Sequence, residues 1–449
     1  MARINNLFSE IINRNETALT TKSESYALEN SNVSLDSATA SLPAGPQEEF
    51  LLQQYIRPLY GKTGINSHPI GTHPDFLELE NNDGSGIFHY TCTMFIDIKG
   101  STRLNLLYSP EEVHKFKNSV LQVCIETVRA HDGHVHRLMG DAVLAFFGGK
   151  ATEKEDSVAD AINCAMTLRT LVDHSIKPWM DENGFESDQF GIRVGVDFGD
   201  DEHVLWAGYG YGTVGEVTAT GLSVDMASKL QGKAGKNQLM LGQGLLDFVD
   251  WPSEYSETKT KKRDGSAVSQ PIVTPNLTNK DGTGLNYRMR LLSHESYLKL
   301  SPLPTDVRAR VCGNDVKDHP AFNLTCIANE NGSEFNYIST SKFLNKNVGL
   351  TFRLQVMVNG SRLNTPLTAT FSVLNYGKEA DDKKDTEERR TTYTLYKKRR
   401  SGYGGGYEPY IVKEHSETTL YRGLHTMECS VRDASGVVLY RNWVGVLIK

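Results

Sequence analysis

The sequence predicts an α+β fold: a ferredoxin-like antiparallel sheet with helices on one face, followed by an all-β, sandwich-like unit. Three observations predict it. Apolar segments from residue 87 to 198 alternate between strand-like and helix-like periods in the order β-α-β-β-α-β. Residues 311–449 instead carry short β-like runs separated by Asn, Gly and Asp. The chain has 449 residues, too many for one small core and enough for two or three units.

The elements follow in order. Residues 15–46 are rich in Ser, Thr, Asn, Glu and Ala and read as a loosely packed leader. Ahead of them Leu7, Ile11 and Ile12 form one amphipathic patch, suited to a membrane surface or a partner helix, with no signal-peptide core. Leu51, Leu52, Tyr55, Ile56, Leu59 and Tyr60 have helical spacing, which completes an N-terminal segment over 1–86. Phe88 to Ile98 reads as a strand, and the turn at Lys99-Gly100 leads into a short helix from Ser101. Ser109-Pro110-Glu111-Glu112 is a helix start with a capping box. The helix it opens puts Val113, Phe116, Val120, Val123 and Cys124 on one stripe. His134–Leu138 and Ala142–Phe147 are strands flanking Met139-Gly140-Asp141, Glu155–His174 is a helix, and Ile192–Phe198 is a strand. Val224–Leu230 is helical, Gln238–Leu241 is a short strand, residues 253–284 form a polar interruption, and Leu285–Leu292 closes this unit at about residue 300. Pro302–Arg310 reads as a linker, and Gly402–Tyr407 as a Gly/Tyr-rich loop of the second unit.

Composition narrows the function classes. The net charge of −7 disfavours a nucleic-acid partner. No apolar run approaches the roughly 20 residues of a membrane span. The six cysteines include no CxxC, so a zinc site is not expected, and buried free thiols in a reducing cytoplasm are.

The chemistry concentrates at two acids. Asp97, in Phe95-Ile96-Asp97-Ile98-Lys99-Gly100-Ser101-Thr102, and Asp141, in Arg137-Leu138-Met139-Gly140-Asp141, each end an apolar β segment. Each alone reads as a cap or turn residue. Paired across a β-α-β unit, they suit two hard divalent cations, Mg²⁺ or Mn²⁺, with the Ile98 carbonyl as a further ligand. Lys99, Gly100, Ser101 and Thr102 then feed a helix N-terminus able to cradle phosphates.

These two stretches resemble the metal motifs of class III nucleotide cyclases. Gly221-Leu222-Ser223-Val224-Asp225-Met226-Ala227-Ser228-Lys229-Leu230 resembles the family's third motif. The resemblance covers about residues 87–293 and implies a cyclase acting as a homodimer, with metal residues from one subunit and base and transition-state residues from the other. It implies that Asp225 stands where the family has a ribose-orienting Asn, and Lys229 where it has a transition-state Arg. A remaining triphosphate-binding lysine is expected among Lys259, Lys261 and Lys262. The base-reading positions fall on Arg137 and Thr218, which fit neither purine code, and a donor-only Arg suits pyrimidine acceptors.

With its β-rich tail, the chain is similar to the pyrimidine cyclases of bacterial Pycsar anti-phage systems, whose tail is a nucleotide-sensor-like domain. That similarity implies a cytoplasmic enzyme making cyclic CMP, or cyclic UMP, for a separate effector. An adenylyl cyclase with a relaxed base pocket and a non-catalytic nucleotide sensor remain the competing readings.

Overall fold

The computed structural model of the chain describes residues 4–14, 50–81, 85–211, 214–263, 266–358, 363–399 and 407–449. The expected leader at 15–46 lies outside the described residues, as does the expected Gly/Tyr loop apart from Tyr407.

The central sheet has seven strands. Their order is His134–Met139, Ala142–Phe147, Thr91–Lys99, Gly191–Gly199, Gln238–Gly242, Met289–Leu292, Ser256–Glu257. The first four are antiparallel throughout, with the earliest strand in the middle, which is the expected ferredoxin-like arrangement. Gln238–Gly242 then adds parallel to Gly191–Gly199. Cys92, Met94, Ile96 and Ile98, with Ile192, Val194, Val196 and Phe198, point into one core. Helices Pro110–Ala130 and Lys154–Leu171 cover it. The first of these opens on the predicted capping box: the Ser109 N–H donates to Glu112 at 2.9 Å, and the Glu112 N–H donates back to Ser109 Oγ at 3.3 Å.

Helices are not confined to one face, as the sequence reading expected. Helix Leu222–Lys233 lies on the opposite face, over Gly191–Gly199. The cause is a row of missing side chains. Gly191, Gly195 and Gly199 recur at every fourth position and share this face with Arg193 and Asp197. A Cβ at Gly195 would stand 2.3 Å from both Ala227 O and Gln231 N. The strand period explains the row, because alternate residues share a face.

Three other expectations shift. The strand reading over Phe88–Ile98 splits, since Ile87–Phe88 joins a separate sheet with the hairpin Leu205–Tyr211/Val214–Thr220. That hairpin lies over the Phe146 side of the central sheet, where Trp206 stacks on Phe76 at 4.2 Å. The linker reading of Pro302–Arg310 gives way to helix Thr305–Cys312, which continues through residue 311. The patch at Leu7, Ile11 and Ile12 is not free for a membrane or partner: residues 4–14 are helical and bury it in this chain's own core, with Phe8 edge-on to Phe116 and Trp179.

The C-terminal residues form the expected sandwich of a four-stranded and a five-stranded sheet. Asp156 Oδ1 accepts from the Phe343 N–H at 2.7 Å, and Asn163 Nδ2 donates to Thr340 O at 2.8 Å. The sandwich thus docks on the same helix that covers the central sheet.

One buried acid ties the second face together. Asp197 accepts from Tyr287 Oη at 2.6 Å and from the N–H groups of Phe198 and Leu245 at 2.9 and 3.1 Å. Burial raises its pKa to about 7 against the lowering effect of these donors. The native state therefore holds a proton that the unfolded chain has released, so stability falls as pH rises from the ordinary carboxylate range through about 7. Tyr287→Phe should cost about 1–3 kcal/mol above that pH, where the ionised carboxylate needs its donor, and less near pH 5; urea melts at both pH values check this. Gly195→Ala should destabilise by about 1–3 kcal/mol through the displaced helix, read as a lower urea midpoint with an unchanged slope.

Candidate active site

Strand register brings the two acids together. Asp97 pairs directly with Ala142, the residue after Asp141. The hairpin turn between Met139 and Ala142 holds Asp141, and Gly140 takes φ 65°, a conformation that favours glycine. Both carboxylates therefore leave neighbouring strands at the same end of the sheet, though they lie 44 residues apart in sequence. Asp97 is 16% exposed and Asp141 28% exposed.

Both acids have basic partners that sequence reading missed. Across the other edge of its strand, Asp97 pairs with Arg193, whose Nε donates to Asp97 Oδ2 at 2.8 Å and whose Nη2 closes on the same oxygen. Lys117 Nζ stands 3.8 Å from Asp141 Oδ2. The signal for Arg193 was its place at the odd positions of Gly191–Gly199, on the glycine face rather than the core face.

The row continues outward. Arg193 pairs with Gln238, and Gln238 Oε1 accepts from Lys259 Nζ. Of the three candidate lysines, Lys259 is thus the one placed at this end of the sheet. Partial burial and the nearby Lys99 ammonium hold its pKa below the usual lysine value. Lys261 and Lys262 lie on the exposed hairpin Thr260–Arg263/Ser266–Ser269.

Beyond Asp97 the strand ends at Lys99 and turns at Gly100, φ 91°, where a Cβ would meet Gln189 O at 2.6 Å. Helix Ser101–Leu107 starts there without a side-chain cap. Its first N–H groups, at Ser101 and Thr102, precede the first intrahelical donors, as at any helix start.

Arg137 and Thr218 sit elsewhere on the same face. Arg137 pairs across the sheet with Leu144 and is ion-paired with Glu216, its Nε donating to Glu216 Oε2 at 3.3 Å. Thr218 stands two residues along the hairpin strand from Glu216, on the same side, while Val217 between them is fully buried. Sequence reading missed Glu216.

Asp225 and Lys229 do not join Asp97 within one chain. They lie one turn apart on the exposed side of helix Leu222–Lys233, whose Val224, Met226, Ala227 and Leu230 face inward.

The donor set is all oxygen. Among the described residues no group of three or more His, Cys, Asp or Glu is arranged around one point. Two carboxylates and a backbone carbonyl suit a hard divalent cation that takes part of its oxygen shell from a ligand, and not a cation caged by protein alone.

Comparison with known proteins adds the following. The Adenylyl/Guanylyl and SMODS C-terminal sensor domain family matches residues 313–449. A cytidylate cyclase of Escherichia coli is 41% identical over 416 residues, covering 89% of this chain and 88% of its own. A cytidylate cyclase of Staphylococcus aureus is 33% identical, covering 88% of this chain and 87% of its own. Among solved structures, the adenylyl cyclase CyaB from P. aeruginosa overlays with a TM-score of 0.37 at 16% identity, covering 47% of this chain and 96% of its own.

The Asp97–Arg193 pair is largely buried, so removing one partner should cost more than removing both. Arg193→Met is expected to destabilise the protein by about 1–3 kcal/mol, and adding Asp97→Asn should recover most of that loss. Denaturation of the two single variants and the double variant measures the coupling; additive losses would contradict it.

Proposed function

The chain belongs to the cytidylate cyclase family, and from that membership we propose that it converts CTP to 3′,5′-cyclic CMP and diphosphate. One observation carries the reading to named residues: the register that sets Asp97 beside Ala142 and so beside Asp141. Asp97, Asp141 and the Ile98 carbonyl hold divalent cations, Mg²⁺ or Mn²⁺. Bound there, such cations polarise the α-phosphate and favour ionisation of the ribose 3′-hydroxyl. The 3′-hydroxyl gives its proton to solvent water, its oxygen forms a bond to the α-phosphorus, the bond from that phosphorus to the bridging oxygen breaks, and diphosphate leaves with the electron pair.

The chain's own groups position this exchange. Arg193, paired with Asp97, supplies a planar fork of donors suited to a phosphate. Lys259, Lys99 and the N–H groups of Ser101 and Thr102 supply further donors for the triphosphate. Arg137 and Thr218 meet the base. Asp225 holds a ribose oxygen, and Lys229 offsets charge on the transferring phosphate, though a lysine lacks the planar fork of an arginine.

Asp225 and Lys229 face outward, so they serve a second copy of the chain. Leu138, Met139, Tyr209 and Leu222 are exposed apolar residues near the same elements and suit a homodimer interface. Each dimer would hold two composite sites. No helix of the described residues is long and apolar enough to cross a membrane. All six cysteines are free and buried, as a reducing cytoplasm favours. The product's target in this reading is a separate effector that acts in anti-phage defence, with the C-terminal sandwich sensing the trigger.

Purified protein with Mn²⁺ and each of the four triphosphates should release cyclic CMP from CTP; cyclic AMP alone would overturn the reading. Asp97→Ala and Asp141→Ala should each lower turnover by about 10³-fold or more without lowering the melting temperature by more than a few degrees. Inactive Asp97→Ala and Lys229→Ala proteins, mixed in equal amounts and allowed to exchange subunits, should regain about a quarter of wild-type activity, because half the dimers would then carry one intact site. No recovery after verified exchange would rule out composite sites.

A further inference from the structure

We propose that Glu216 is the residue that separates CTP from UTP, by accepting a hydrogen bond from the cytosine 4-amino group while Arg137 donates to the ring acceptors beside it. The assignment rests on the cyclase reading above and deepens it. Through O2 Arg137 cannot make this distinction. A guanidinium only donates, and both pyrimidines offer an acceptor at O2. The two bases differ at position 4, where cytosine presents an amino donor and uracil a carbonyl acceptor. At N3 cytosine accepts and uracil donates.

The structure supplies the missing acceptor at the right place. Glu216 is ion-paired with Arg137 and therefore stands beside it. The pair presents one acceptor-only group beside one donor-only group. That pattern complements the amino group and N3 of cytosine and opposes O4 and N3–H of uracil, where carboxylate would meet carbonyl and donor would meet donor.

The position is held firmly. Val217, next in the chain, is fully buried, and its N–H donates to Thr72 Oγ1 at 3.3 Å. Trp206, Val217 and Ala219 pack the hairpin onto Phe76 and Phe146. His136 Nε2 also stands 3.6 Å from Glu216 Oε2. The ring is fixed by its Nδ1, which lies 2.9 Å from the Gly71 carbonyl oxygen. Directly across the hairpin from Glu216 is Tyr209, with its ring 68% exposed and available as a stacking surface for a base. Adenine repeats the amino-and-acceptor pattern at N6 and N1. Glu216 accordingly reads the amino group, and ring size is set by other residues.

The test is product formation from CTP and UTP, supplied together at equal concentration. In Glu216→Gln the side-chain amide can donate to O4, and the ratio of cyclic CMP to cyclic UMP should fall about ten-fold or more. Glu216→Asp keeps an acceptor, so it should lose turnover yet hold a ratio near that of the wild type. A folded Gln variant with the wild-type ratio would overturn the assignment, and so would an Asp variant that loses preference as fully as Gln does. Wild-type turnover, measured first, keeps the two readings apart: absence of cyclic CMP counts against the cyclase reading, whereas an unchanged ratio in an active Gln variant counts against Glu216 alone.

Discussion

The site depends on one constraint, the register of Thr91–Lys99 between its two neighbours. Asp97 faces Ala142 on one side and Arg193 on the other. A slip of one residue would send Asp97 into the core and Ile96 or Ile98 to the site, because side chains alternate across a strand. Cys92, Met94, Ile96 and Ile98 face one core, while Thr93, Phe95 and Asp97 take the opposite face, and this division favours that register. The apolar positions of this strand thus hold the acid in place without touching it.

The second face of the sheet is shaped by absence. Gly195 and Gly199 leave room for a closely approaching helix, and Leu222–Lys233 occupies it, while Gly191 makes room for Lys236 and Asn237 beyond the helix's end. Its inner residues are committed to that packing, which turns Asp225 and Lys229 outward. The same packing that secures the helix leaves both side chains exposed. Meanwhile, Lys154–Leu171 is buried on nearly every side. It packs against the sheet on one side and bonds to the C-terminal sandwich through Asp156 and Asn163. Arg422 adds bonds to Phe248 O and Glu155 at the same boundary. A change in the sandwich would meet the sheet through this helix.

Much of this was legible in advance because local rules agreed with the final fold. The capping box at Ser109, the β-propensity of the strand that carries Asp97 and the β-rich tail each follow from short-range chemistry, and each is seen. The failures have equally local causes. Tyr410–Thr418 was missed as a strand because it buries only Ile411 and alternates charged with polar residues. Helix Thr305–Cys312 was read as a linker because prolines precede it and its apolar stripe is weak. The patch at Leu7, Ile11 and Ile12 was read as open to a membrane or partner, because sequence cannot say which apolar face will meet another in the same chain.

By itself the sequence determined that two acids follow apolar β segments of a ferredoxin-like sheet, and that a β-rich unit comes after it. Those facts lie in residue identity and short spacing. Only the tertiary structure decided what stands beside them: Arg193 against Asp97, Lys117 against Asp141, Lys259 rather than its neighbours at the end of the row, and Glu216 against Arg137. Each partner comes from a strand or helix remote in sequence, and nothing in its local context records which residue it will face. Strand order and register create those pairings, and both are properties of the assembled sheet.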